Sequence, residues 1–175
     1  MNLPNILSVS RILLLIPIII FFENDMYVFC IATFIFASFT DFLDGYFARK
    51  NTQTSDVGSI LDLLADKIFV CTLLIWMTFK FNSSVILISS ILIVTREISI
   101  SYLRLFFVLK SKKISEFKSD LLGKVKTTFQ MIGLGFILVS PLISDPIFNI
   151  SLALLLLSSL ISWFSFIQYL NKWIV

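Results

Sequence analysis

The sequence contains no histidine, and the residues that interrupt or cross-link soluble folds are few: 5 Gly, 4 Pro and 2 Cys among 175 residues. Without histidine there is no imidazole base, no Ser-His triad and no His-ligated zinc site. Cys30 and Cys71 each lie within an apolar run and are too isolated to form a disulfide framework or a structural zinc site. Any ionic chemistry must therefore come from Asp, Glu, Lys and Arg.

Charged residues are also scarce. They make up 14% of the chain, whereas apolar residues make up 58%, and the mean hydropathy is +0.97. Soluble domains have about 25% charged and about 45–50% apolar residues. The composition therefore excludes a soluble domain and indicates an integral membrane protein.

Six apolar runs are long enough, or nearly long enough, to cross the hydrocarbon core of a bilayer as helices. They cover residues 6–22, 26–39, 60–79, 85–109, 129–143 and 147–170. We therefore expect an all-α integral membrane protein of six transmembrane helices, forming a single domain over residues 1–175. An N-terminal interfacial helical segment is expected to begin near Pro4, because proline favours the first turn of a helix.

The distribution of Lys and Arg predicts the orientation. Arg49, Lys50, the segment 110–126 and Lys172 fall on one side when six spans are threaded, and the opposite loops carry only Lys80. The basic side is expected to face the cytoplasm, with both termini inside and the protein in the cytoplasmic (inner) membrane.

Four aspartates interrupt the second and third spans near that side: Asp41, Asp44, Asp62 and Asp66. Ionisable residues at membrane depth are costly and usually mark function. On helices, spacings of three or four residues place side chains on one face, so the four carboxylates are expected to converge. Carboxylate oxygens without His or Cys favour two Mg²⁺ ions, or Mn²⁺, over zinc or copper. The alternative is structural, with each aspartate capping a helix or pairing with a nearby Lys or Arg.

The same stretch carries a longer pattern, D-x2-D-G-x2-A-R-x8-G-x3-D-x3-D, complete over residues 41–66. This pattern resembles the signature of the CDP-alcohol phosphotransferases. The resemblance implies a six-helix membrane enzyme, usually a homodimer, that moves a phospho-alcohol unit from a CDP-alcohol to a second alcohol and releases CMP.

The resemblance also implies residue roles. Asp41 and Asp62 would bridge two metal ions, Asp44 would bind one ion, and Asp66 would bind the other while acting as general base. Asp66 as a metal ligand alone remains an alternative. The donor's cytidine diphosphate is expected to contact residues that follow the second aspartate: Gly45, Arg49 and Ser55. Asn5 and Arg11, near the N-terminus, are expected either to reach the nucleotide or lipid phosphate or to serve as an interfacial anchor.

The acceptor is indicated by two further segments, R-E-I-x-I-S-x-L-R at residues 96–104 and G-K-x-K-T-x2-Q at residues 123–130. Both resemble the branch of the family that uses sn-glycerol 3-phosphate. The residues expected to bind its phosphate are Arg96, Arg104, Lys124 and Lys126. Alternatively, these cations snorkel to lipid headgroups.

The partners expected on this basis are CDP-diacylglycerol, sn-glycerol 3-phosphate, membrane lipids and a second copy of the chain, with no nucleic acid. Two alternative functions remain open. One is transfer to another acceptor, such as inositol phosphate, serine or a lipid. The other is a small divalent-cation carrier, which would need acids spread across the bilayer depth rather than gathered on one side.

Overall fold

The computed structural model describes the backbone of residues 3–50, 56–109, 121–143 and 145–174, and side chains within residues 8–40, 64–103, 106, 125–143, 145–168 and 170–171. The described backbone forms six α-helices and confirms the predicted all-α class. The helices are α1 (Leu3–Glu23), α2 (Tyr27–Lys50), α3 (Asp56–Phe81), α4 (Ser84–Leu109), α5 (Leu121–Ile143) and α6 (Asp145–Ile174). The predicted N-terminal helical segment forms the first turns of α1.

Short turns end α1 and α3 because each contains a residue that tolerates the left-handed backbone region. Asp25 has φ 59° and Asn82 has φ 45°, and short polar side chains make this conformation accessible. After α1, the Met26 amide donates to the Phe21 carbonyl (2.8 Å) and the Asp25 amide donates to the Phe22 carbonyl (3.1 Å). This pair of bonds is a Schellman cap. It reverses the chain, so α2 packs back along α1.

The helices pack as a closed ring. Around the ring α1 lies against α2, α2 against α5, α5 against α6, α6 against α4, α4 against α3, and α3 against α1. Within the described residues, α2 also meets α3 through the stacked rings of Phe34 and Phe69, whose centroids are 6.0 Å apart. α1 therefore packs against both helices that carry the aspartate pattern.

Among the described side chains, the apolar core lies in the half of the ring towards the C-terminal ends of α1, α3 and α5. It includes Ile18 and Phe22 from α1, Leu74 and Met77 from α3, and Ile137 from α5, all almost fully buried. At the outer edge of this half, Glu23 accepts hydrogen bonds from Lys80 (2.6 Å) and from the Trp76 indole (3.0 Å). This partly exposed contact joins the ends of α1 and α3.

Three helices contain stretches long and apolar enough to cross a bilayer: Ser84–Leu103, Val125–Ile143 and Asp145–Gln168. Tyr27–Thr40 is a shorter apolar helix, and this search covers only the described residues. Large apolar side chains such as Phe79 (82% exposed) and Val28 (67% exposed) lie on the outside of the bundle. The chain is therefore a membrane protein, while the count of six spans stays a prediction.

Gly133 brings α5 close to α6, and this contact generates a stability prediction. A Cβ atom added at Gly133 would lie 3.1 Å from Leu155 Cδ2 and 3.2 Å from its Cγ. Gly133→Val is expected to lower the free energy of unfolding by roughly 1–3 kcal/mol, because overpacking pushes the two helices apart. Unfolding of the purified protein in detergent micelles measures the effect.

The matched control is Ile132→Val, which trims the neighbouring residue, itself 41% exposed on the outer surface. It is expected to change the free energy of unfolding by less than about 0.5 kcal/mol. Equal stability of Gly133→Val and the unaltered protein would contradict a tight α5–α6 contact at this residue.

Candidate active site

The aspartate pattern lies on two helices, at the C-terminal part of α2 and the N-terminal part of α3. The four aspartates therefore lie on helices, which is the condition under which their side chains were predicted to converge. The side chains of several predicted site residues lie outside the described residues; these are Asn5, Asp41, Asp44, Gly45, Arg49 and Asp62, and Ser55 lies outside them entirely. Their convergence and their assigned roles stay predictions.

Asp66 is the aspartate of this pattern whose side chain is described. Its carboxylate is about half exposed, and Oδ1 accepts a hydrogen bond from Nη1 of Arg11. Arg11 comes from α1 and is almost completely buried, with 1% of its surface exposed. The sequence predicted that Arg11 contacts a nucleotide or lipid phosphate or anchors the interface. The structure places its guanidinium beside the proposed base, at the α1–α3 contact.

A second charged cluster lies where α3, α4 and α5 face one another. Glu97 of α4 is at its centre: Oε1 accepts hydrogen bonds from Arg96 Nη1 (2.8 Å) and from Lys126 Nζ, and Oε2 lies 3.7 Å from Lys67 Nζ. The four side chains are between 6% and 18% exposed. Among the described residues, three cations thus share one carboxylate.

Backbone and hydroxyl groups hold the members of this cluster in place. Lys67 Nζ also donates to the Glu97 carbonyl (3.2 Å) and to Ser101 Oγ. Arg96 Nε donates to the Ser162 carbonyl of α6 (3.3 Å). Ser158 Oγ of the same helix donates to the Lys126 carbonyl (2.9 Å). Four of the six helices therefore contribute to one polar centre inside the ring.

The two charged contacts are joined through consecutive residues of α3. Successive side chains on an α-helix point about 100° apart. Asp66 consequently meets Arg11 on the α1 side, while Lys67 meets Glu97 on the α4 side. One turn of α3 thus carries both the proposed base and a member of the cationic cluster.

Two of the four predicted acceptor-binding residues, Arg96 and Lys126, come together in this cluster. The side chains of Arg104 and Lys124 lie outside the described residues. Sequence reasoning did not assign Lys67 or Glu97 to the site. The available signal was a lysine directly after the fourth aspartate, in a span where a charged residue needs a partner.

The metal prediction depends on the aspartates whose side chains are not described. Among the described side chains, no group of three His, Cys, Asp or Glu is close enough to hold a metal ion. Asp66 contributes a half-exposed carboxylate, and the pattern's other acids lie on the adjoining helical segments. This donor set, all carboxylate oxygen, fits a hard divalent cation.

Comparison with known proteins agrees with the family resemblance of the aspartate pattern. A family model described as CDP-alcohol phosphatidyltransferase matches residues 1–167. A protein of Pectobacterium atrosepticum named CDP-diacylglycerol–glycerol-3-phosphate 3-phosphatidyltransferase is 34% identical, covering 97% of this chain and 93% of the relative. Proteins with the same name from Sodalis glossinidius (33% identical, 97% and 93% covered) and Pseudomonas fluorescens (31%, 98% and 89%) are also similar.

The cluster around Glu97 generates a second stability prediction. Glu97→Gln keeps the shape of the side chain but leaves three buried cations without their carboxylate. We expect a loss of roughly 3–5 kcal/mol in the free energy of unfolding, because uncompensated buried charge is strongly destabilising. Unfolding in detergent micelles measures it.

Glu23→Gln is the matched control, since Glu23 also accepts hydrogen bonds from two donors but is 44% exposed. Glu23→Gln is expected to lower the free energy of unfolding by less than about 1 kcal/mol, because solvent screens exposed ion pairs. Similar losses in the two variants would contradict the buried, charge-compensating role of Glu97.

Proposed function

Because the chain belongs to the CDP-alcohol phosphatidyltransferase family, we propose that it transfers the phosphatidyl group of CDP-diacylglycerol to sn-glycerol 3-phosphate. The products are phosphatidylglycerol phosphate and CMP. The observation that carries the choice of acceptor is the buried cluster in which Arg96, Lys126 and Lys67 share Glu97. The names of the relatives from three bacterial genera agree with this choice.

The acceptor's phosphate is proposed to bind at this cluster. A surplus of buried positive charge is costly unless an anion offsets it. Arg96 uses Nε and Nη1 in the described contacts, and its guanidinium carries further N–H donors on Nη2. Arg96 and Lys126 are the proposed ligands supported by described contacts. Arg104 and Lys124 are proposed from the sequence pattern.

The donor is proposed to bind at the aspartate pattern. Asp41, Asp44, Asp62 and Asp66 would hold two Mg²⁺ ions, or Mn²⁺. Bound there, the metal would neutralise negative charge on the diphosphate and make CMP a better leaving group.

Several other residues of the chain are proposed to contact the donor. Gly45 lets the nucleotide approach the backbone, because it has no Cβ. Arg49, Ser55 and Asn5 are proposed to contact the diphosphate or the cytidine. Arg11, already beside Asp66, is proposed to contact a donor phosphate oxygen through its guanidinium group.

Asp66 is proposed to accept the proton of the attacking hydroxyl. The primary hydroxyl oxygen of the acceptor forms a bond to the lipid-bearing phosphorus. The bond from that phosphorus to the CMP oxygen breaks, and the hydroxyl proton passes to the Asp66 carboxylate. The half-exposed carboxylate of Asp66, on the same turn of α3 as Lys67 of the cationic cluster, supports this role.

The membrane arrangement proposed with this function follows the Lys and Arg bias of the loops. The site faces the cytoplasm, where the phosphorylated acceptor and CDP-lipid headgroup are accessible, and both termini lie on the cytoplasmic side of the inner membrane. The chain is proposed to act as one domain and to assemble as a homodimer.

An acceptor panel tests the function. Purified protein in detergent with CDP-diacylglycerol and Mg²⁺ is expected to release CMP with sn-glycerol 3-phosphate. Glycerol, serine and inositol are expected to support less than about one hundredth of this rate, because they lack the phosphate that the cluster binds. Thin-layer chromatography of the labelled lipid product identifies the acceptor. Faster transfer to inositol phosphate, serine or a lipid would overturn the choice of acceptor.

Asp66→Asn tests the assignment of the base. We expect kcat to fall at least 100-fold, since the variant loses the proton acceptor and a proposed metal ligand. CMP release measures kcat, and omitting Mg²⁺ or adding EDTA to the unaltered protein is expected to abolish turnover.

The matched control is Asp145→Asn, an exposed aspartate at the start of α6. This variant is expected to retain the kcat of the unaltered protein. Full activity of Asp66→Asn, with its fold intact, would remove Asp66 from the mechanism.

A further inference from the structure

Lys67 is the member of the cationic cluster to which neither the aspartate pattern nor the acceptor segments assign a function. Its ammonium group is largely buried and lies against α4, where it contacts the Glu97 carbonyl, the Glu97 carboxylate and Ser101 Oγ. A lysine serving only as a lipid anchor would extend to the headgroup region. Lys67 instead turns inward, into the cluster of Arg96 and Lys126.

The charge of the cluster favours an anion. Among the described residues, Lys67, Arg96 and Lys126 supply three positive charges and Glu97 supplies one negative charge. A phosphomonoester carries about two negative charges near neutral pH, whereas a phosphodiester carries one and a free polyol none. Loss of the Lys67 charge would therefore weaken the attraction for a dianion about twice as much as the attraction for a monoanion.

Lys67 also lies close to the proposed base. Consecutive Cα atoms are about 3.8 Å apart, and Asp66 directly precedes Lys67 on α3. Lys67 and the proposed base therefore lie on the same turn of α3, with side chains about 100° apart around the helix. A phospho-alcohol bound at the cluster would need to extend its attacking hydroxyl around α3 towards Asp66.

We propose that Lys67 is a further cationic ligand of the acceptor's phosphate and that, with Glu97 as counter-charge, it favours a doubly charged phosphomonoester over singly charged and neutral acceptors. This inference rests on the proposed function, because it assigns a further residue to the same acceptor site. Glu97 holds the cations together, and the charge of Lys67 adds to the preference for a dianion.

Lys67→Gln is the test variant, and two readouts are measured. The KM for sn-glycerol 3-phosphate is expected to rise roughly 10- to 100-fold, the factor associated with one lost hydrogen bond between charged groups. The KM for CDP-diacylglycerol is expected to stay within about twofold, because loss of one acceptor ligand affects acceptor binding alone. Independently of activity, inorganic phosphate is expected to raise the Tm of the unaltered protein but not of the variant.

The ratio of two inhibition constants tests directly whether the site selects for the charge of the anion. As competitive inhibitors, inorganic phosphate and the methyl phosphodiester of glycerol differ by about one negative charge. The unaltered protein is expected to bind the doubly charged inhibitor more tightly, and Lys67→Gln is expected to reduce the ratio of the two inhibition constants at least fivefold. Lys67→Arg, which keeps the positive charge, is expected to restore both the KM and the ratio.

Lys80→Gln is the matched control, because Lys80 lies on the same helix and pairs with Glu23 at the opposite end of the bundle. It is expected to leave both KM values and the phosphate-induced Tm shift unchanged. A purely structural role of Lys67 predicts a lower Tm without a selective change in acceptor KM or inhibitor ratio, and that result would overturn the proposal.

The two proposals fail in different ways. If the unaltered protein transfers the lipid to sn-glycerol 3-phosphate but Lys67→Gln changes neither acceptor KM nor phosphate binding, the assignment of Lys67 is wrong and the proposed function stands. If no acceptor supports CMP release, yet phosphate stabilises the unaltered protein and not the variant, the phosphate site stands and the proposed function is wrong.

Discussion

A charge buried inside a membrane bundle persists only where an opposite charge or a hydrogen-bond partner stands beside it. This constraint organises the polar half of the ring. Glu97 lies between α3 and α5, and its carboxylate is the counter-charge for cations from both helices and from α4 itself. Leu or Met at this position would pack as well but would leave the cations uncompensated. The arrangement of the helices and the electrostatics of the site therefore depend on the same carboxylate.

The two halves of the ring have different physical roles. Towards the C-terminal ends of α1, α3 and α5, side chains such as Phe22 and Met77 are almost fully buried and fix the spacing of the helices. Among the described side chains nearer their N-terminal ends, ion pairs join the helices. Apolar contacts need no particular direction, whereas charged contacts do. The apolar half thus supplies a rigid support, and the polar half keeps directional groups for substrates that carry charge.

The sequence predicted the parts of the structure that depend on local spacing. The six apolar runs predicted the six helices, and the intervals between aspartates placed the pattern on α2 and α3. The cluster at Glu97 was harder to predict, because Lys67 and Lys126 are 30 and 29 residues away from it along the chain. Periodicity identifies the face of a helix and leaves its partner undetermined. For Arg11, the sequence predicted a phosphate contact or an interfacial anchor, whereas the structure adds a contact with Asp66.

The order of the helices in the ring follows from the lengths of the connections. Residues 24–26, 82–83 and 144 join α1 to α2, α3 to α4, and α5 to α6, and each of these pairs is in contact. Short connections favour antiparallel neighbours. The longer connections, residues 51–55 and 110–120, join helices that are not neighbours around the ring. The protein is therefore an assembly of three helical hairpins.

In this arrangement the charged contacts link different hairpins. Arg11 of the first hairpin contacts Asp66 of the second, and Lys126 of the third contacts Glu97 of the second. Burial of apolar faces does not determine which hairpins pack together in a bilayer, since lipid tails are equally apolar. Ion pairs do determine it, because each pair forms in one geometry only. The groups proposed to bind the substrates are thus also the groups that specify how the three hairpins assemble, so selection for the site also maintains the fold.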